Sequence, residues 1–243
     1  MNDFSNFIKT PLAHRGLHDE RFDENSLSAF KAAVEHGYGI ELDVHLTVDG
    51  TLAVVHDNSI KRVTGLDRLV SEMTIEEITA TKLNVSQEAI PTLNQVLAVV
   101  DGRVPLLIEM KVDGKFDEKL PESILALLEN YPKTNKIAIE SFNPYAIRWL
   151  SKNHKNKYPY GQLISYNLEG LDKFAKFMFK SLMIRFISKP SFLAFDIYNL
   201  PDKKISRLHR RGFPVVSWTI DNEEKRLTAT KETDNYIFES IRP

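Results

Sequence analysis

Four short pieces of this chain hold residues able to work together on a phosphodiester: His14-Arg15-Gly16, Glu41-Leu42-Asp43, His56-Asp57 and Glu109-Met110-Lys111. On an extended strand, residues two apart share a face. Glu41 and Asp43 therefore point one way while Ile40, Leu42 and Val44 point the other. Taken alone, that pattern also suits a half-exposed strand with a solvated acidic face. Glu109 and Lys111 end a second, apolar strand, where a buried charge requires a partner or a metal. If the two strands are parallel neighbours, Glu41, Asp43 and Glu109 converge at one mouth. Three carboxylates and no cysteine suit a hard divalent cation, Mg2+ or Ca2+, better than zinc.

Cleaving a phosphodiester requires a proton taken from the attacking oxygen and a proton given to the leaving one. Two imidazoles titrating near neutrality can share those tasks. His14 ends the first strand and His56 returns along a hairpin, so the expected catalytic pair is His14 and His56. Arg15 and Lys111 can offset charge on the transferring phosphoryl group. A single histidine at a strand end is more often a structural hydrogen bonder, so the argument rests on the two together.

The elements that must position these groups alternate. Apolar strands are expected at Pro11 to His14, Tyr38 to Val44, Pro105 to Met110, Ile137 to Phe142, Tyr160 to Ser165, Phe192 to Tyr198, Pro214 to Ile220 and Asn235 to Glu239. Helical patterns separate them, beginning with the run after Asn25 and Ser26 that Gly37 ends. Eight strands joined by crossover helices make an α/β fold of the TIM (β/α)8 barrel type. Asp49-Gly50 marks a tight hairpin turn after the second strand. The polar stretch 58–91, with one short helical pattern at its centre, is expected as a small irregular insertion over the site mouth.

At 243 residues the chain is the usual size of one such barrel, so a single domain over 1–243 is expected. Its 32 basic and 33 acidic residues leave no charge excess to attract nucleic acid. No run approaches the roughly 18 apolar residues of a membrane span, and the opening residues lack a secretory pattern. With no cysteine, a reducing, cytoplasmic setting is expected.

Taken in order, HRG (14–16), ENSLSAF (24–30), IELDVHLTVDGTLAVVHD (40–57), IPTLNQVL (90–97), IEMK (108–111), SF (141–142) and SWTIDN (217–222) resemble the glycerophosphodiester phosphodiesterase family. The resemblance implies a barrel enzyme that uses a divalent metal to hydrolyse glycerophosphodiesters to glycerol 3-phosphate and an alcohol. By position it implies His14 and His56 as catalytic, Glu41, Asp43 and Glu109 as metal ligands, and Arg15 and Lys111 as phosphate-side cations. Glu24 and Asn25 match a signature supporting the first histidine loop, with Ser26 in place of threonine. Trp218, and with it Phe142, match positions that wall the glycerol end, although a strand tryptophan is also ordinary core. Near the C-terminus the resemblance weakens: Asn235 stands where relatives carry glycine, which leads one to expect a left-handed backbone there.

Three other readings share parts of this pattern. A lysophospholipase D-like or phosphoinositide-type phosphodiesterase would act on lipid substrates. A barrel glycosidase could use paired carboxylates without metal, and a noncatalytic barrel could bind a phosphoester without cleaving it. His18, His36, His45, His154 and His209 are expected at the surface. Residues 171–190 mix phenylalanine, leucine and methionine with lysine and arginine. They read as a barrel helix with its connecting loop, or alternatively as an amphipathic surface making weak contact with membranes.

Overall fold

The computed structural model describes residues 7, 9–133, 136–168 and 170–243. It divides into two compact units, 12–137 and a second made of 1–11 with 138–243.

In the unit 12–137, β1 (Leu12–Ala13), β2 (Gly39–Leu46) and β4 (Leu106–Met110) run parallel, with β2 paired to both others. β3 (Leu52–Val54) folds back antiparallel on the end of β2, pairing Val44 with Val54, as the Asp49-Gly50 turn requires. The second unit carries β5 (Ile137–Ser141), β6 (Tyr160–Ile164), β7 (Phe192–Asp196), β8 (Val215–Ile220) and β9 (Asn235–Phe238), each parallel to the next. Setting the hairpin strand β3 aside, eight parallel strands alternate with helices at Leu27–Glu35, Leu93–Val100, Lys119–Glu129, Pro144–Asn153, Lys173–Lys180, Lys203–His209 and Glu223–Glu232. This is the element order of the TIM barrel expected from the sequence.

Local chemistry accounts for where the helices start. The Ser26 hydroxyl accepts from the Ala29 amide and caps Leu27–Glu35, so serine does here what a threonine hydroxyl would. Thr92 and Gln95 form a reciprocal capping box for Leu93–Val100, and Asn143 caps the helix that begins with Pro144.

Three expectations need correction. The stretch 58–91 carries the short helix expected at its centre, Ile75–Ala80, but it also forms a helix Lys61–Thr64 and is less polar in effect than expected, packing Ile60, Val63, Val70, Met73, Ile78, Leu83 and Ile90 with Ala53 and Val55. Its apolar residues are spaced too unevenly for one period, so their common burial is a tertiary fact. Asn235 has no left-handed backbone; it lies buried in β9, and its side-chain amide donates to the carbonyls of Phe7 and Thr10. A side-chain donor for those carbonyls, which glycine would lack, accounts for asparagine there. His45 is buried rather than at the surface. Among the described residues, no helix is long and apolar enough to cross a membrane.

Candidate active site

Strand register brings the acids together. β2 and β4 pair Asp43 with Glu109, and Glu41 lies two residues earlier on the same face of β2. All three carboxylates are buried, with ligand-capable oxygens within 4.8 Å of one another. The solvated-strand reading of Glu41 and Asp43 is therefore set aside: they are 2% and 0% exposed.

The turn after β1 adds the first cation. Arg15 has φ 53° and Gly16 φ 83°, and a Cβ on Gly16 would lie 2.9 Å from that of Ala29, so glycine is required there. The turn aims the Arg15 amide at Glu41 Oε2 (3.0 Å) and its guanidinium at Glu24 (2.8 Å) and Asp43 (3.4 Å). His14 Nε2 lies 4.0 Å from Glu41. Asn25, also left-handed, donates from Nδ2 to Asp43 Oδ2 at 2.9 Å. Lys111 Nζ sits 2.9 Å from both Asp43 and Glu109.

These charges shape one another. Burial raises Glu41 well above the usual carboxylate range, and the charges of Asp43 and Glu109 add to it against Arg15 and Lys111. Burial likewise pushes Glu109 up to about 7, with Lys111 opposing. Burial also acts to raise Asp43, but Lys111, His56, Arg15 and His14 outweigh it and hold Asp43 well below its ordinary value. Three buried acids outnumber the two neighbouring cations, Lys111 and Arg15, and Glu41 and Glu109 hold their protons to higher pH than usual. Such a donor set fits a hard divalent cation.

His56 is held by a relay. Its Nδ1 lies 2.6 Å from Asp57 Oδ1, and Asp57 accepts from Arg62 Nε at 2.7 Å. Arg62 also donates twice to Glu24, each at 2.8 Å, and Glu24 accepts from Arg15. The two histidine loops are thus joined through Asp57, Arg62, Glu24 and Arg15. Burial lowers the His56 pKa; Asp43 opposes that, while Lys111 and Arg15 add to it. His45 supports the loop from behind: its Nε2 is 2.9 Å from the His56 carbonyl and its Nδ1 is 3.4 Å from Asp113.

The structure gathers His14, Arg15, Glu24, Asn25, Glu41, Asp43, His56, Glu109 and Lys111 in the unit 12–137. Trp218 and Phe142 belong to the other unit, where their rings meet edge to face at 5.6 Å. Trp218 lines a cavity of about 620 Å³ there with Ser165, Asp196, Tyr198 and Asp221.

The sequence profile of the glycerophosphoryl diester phosphodiesterase family matches residues 14–239, from the first histidine to the end of the last strand. The chain belongs to that family. Relatives include glycerophosphodiester phosphodiesterases of Caldanaerobacter subterraneus, 35% identical over 58% of this chain, and of Bacillus altitudinis, 33% identical over 54%. The matched stretches span 61% and 57% of those relatives' lengths. Among solved structures, an Oleispira antarctica phosphodiesterase in complex with the product sn-glycerol-3-phosphate is 21% identical with a TM-score of 0.82, covering 96% of this chain and 94% of that one. A Thermotoga maritima glycerophosphodiester phosphodiesterase is 24% identical with a TM-score of 0.72, each chain covered to 94%. These likenesses extend over nearly the whole chain and show that this family member has the TIM-barrel fold.

Sequence reasoning missed Arg62 and the burial of His45. Arg62 lies in the insertion with no local pattern to mark it. His45 continues the alternation of Glu41 and Asp43 along β2, and that period could have singled it out.

The raised carboxylates carry a measurable consequence. An acid whose folded pKa lies above its unfolded value stabilises the fold below the unfolded pKa, and that contribution is lost as pH rises through the folded one. With chelator present, the melting temperature of this family member is expected to fall between about pH 4.5 and 7 as Glu109 ionises. Added Mg2+ or Ca2+ is expected to restore several degrees at pH 8 and little at pH 5. A chelator-insensitive melting curve at pH 8 would argue against a cation at these acids.

Proposed function

We propose that this protein hydrolyses glycerophosphodiesters to glycerol 3-phosphate and an alcohol, using a divalent Mg2+ or Ca2+ ion and two histidines. One observation carries the proposal: three buried carboxylates on paired strands share a unit with a histidine whose Nδ1 is held by an aspartate. The sn-glycerol-3-phosphate held as product by the Oleispira phosphodiesterase supports glycerol 3-phosphate as the product here.

Glu41, Asp43 and Glu109 would hold the cation. When bound, it supplies charge stabilisation to phosphoryl oxygens and helps orient the nucleophile. Arg15 and Lys111 supply further positive charge towards the phosphate. Asp57, held below its ordinary pKa although burial works to raise it, accepts the Nδ1 proton of His56. That fixes the tautomer and leaves Nε2 as the acceptor, so His56 is the base and His14 the acid that protonates the leaving oxygen. Arg62 keeps Asp57 ionised and ties it to Glu24. The same reading takes residues 1–243 as one domain acting on a small molecule in the cytoplasm, with nucleic acid no partner.

The test is release of glycerol 3-phosphate from glycerophosphocholine, glycerophosphoethanolamine and glycerophosphoglycerol, with and without chelator, beside micellar lysophosphatidylcholine. Turnover of the water-soluble diesters that is lost with chelator and restored by Mg2+ or Ca2+ is the expected result. Turnover confined to the micelles would move the substrate to lipids, and binding without turnover in excess metal would refute hydrolysis.

A further inference from the structure

The segment 171–190 packs Leu171, Met178 and Ile187 partly, and three further apolar side chains fully, against the core, and leaves four large ones outside it. Phe179, Leu182 and Ile184 are buried with Ile164, Leu193 and Phe195. Phe174, Phe177, Met183 and Phe186 stay 72%, 55%, 43% and 63% exposed. In the helix Lys173–Lys180, Phe174 and Phe177 stand three residues apart on one face. Lys173, Lys176 and Lys180 occupy the adjoining row and are all exposed. The following helix, Ile184–Ser188, presents Phe186 with the Arg185 guanidinium 4.2 Å over its ring, and exposed Lys189 ends it. The segment's one acid, Asp172, is engaged as an N-cap, accepting from the Ala175 amide.

In a chain whose net charge is -1, five cations against one acid within 171–190 are a local concentration of positive charge. Exposed phenylalanines rimmed by lysines match a surface that is anionic outside and apolar beneath, which is the profile of an acidic phospholipid leaflet. We infer that this segment docks the protein on anionic membrane surfaces, with the phenylalanines entering the headgroup boundary and the lysines meeting lipid phosphates. The inference goes beyond the hydrolytic reading and does not depend on it.

The test is cosedimentation of the full chain with vesicles of phosphatidylglycerol and phosphatidylcholine in equal parts, against phosphatidylcholine alone. Binding to the anionic vesicles that weakens with added salt is expected. The triple variants F174S/F177S/F186S and K173Q/K176Q/K180Q should each lower the partition coefficient by at least ~10-fold. Their melting temperatures and turnover of soluble diester should stay unchanged. Equal partition on both vesicle types, or undiminished binding of either variant, overturns the inference. So does a lipid-free dimer in sedimentation velocity that the phenylalanine changes dissociate, because the face then covers a second copy of this chain.

Discussion

Replacing His56 with alanine is expected to lower kcat for glycerophosphodiester hydrolysis by at least ~100-fold with a small effect on KM. The side chain is 32% exposed and its main polar partner is the adjacent Asp57, so its removal leaves no deeply buried group without a partner. The cost falls on proton transfer. His14→Ala is expected to act comparably, since the leaving oxygen then departs without a proton. Because the two histidines serve one proton circuit, the double variant should be little worse than the more impaired single one, far from the product of the two losses. The wild-type pH-rate profile should be bell-shaped, and each single variant should lose one limb. Near-normal turnover in His14→Ala, or a profile unchanged in both variants, would remove the acid-base assignment.

Asp43→Ala is expected to abolish activity and also to destabilise the protein by about 3–5 kcal/mol, because truncating one member of a buried ionic cluster strands the others. Asp43 is the common partner of Lys111 at 2.9 Å, Arg15 at 3.4 Å and Asn25 at 2.9 Å. With it gone, Lys111 keeps Glu109 and Arg15 keeps Glu24, but each loses a buried charge partner and the Asn25 amide loses its acceptor. Chelation separates the two roles. Wild-type protein with chelator should be inactive yet folded, whereas Asp43→Ala should be inactive and show a lowered denaturation midpoint. Asp43→Asn keeps the volume and one carbonyl, which can accept from Lys111 or from Asn25 but not from both because they meet different oxygens, so it should recover part of the stability and none of the metal-dependent rate. Full activity of Asp43→Asn in Mg2+ would show that the carboxylate is not a ligand.

The inferred docking would place the proposed hydrolase at an anionic leaflet. Lysines and phenylalanines exposed on the same short helix cost little in the folded state and strengthen surface attraction without a spanning segment.

Much of the site was legible along the chain. The alternation in β2 put Glu41 and Asp43 on one face, and Gly16 marked a turn that only glycine can make against Ala29. Asn25 and Ser26 marked the start of the first helix, and Ser26 caps it. These signals survive in one dimension because each depends on residues a few positions apart. Tertiary structure decided the remainder. The depth at which the three acids are buried raises Glu41 and Glu109, and burial is a property of everything packed around a strand. Arg62 reaches Glu24 across 38 positions, and His45 steadies the His56 carbonyl from another strand. Hydrogen bonds between residues so far apart leave no period in the sequence, since any donor the fold delivers to that point would serve.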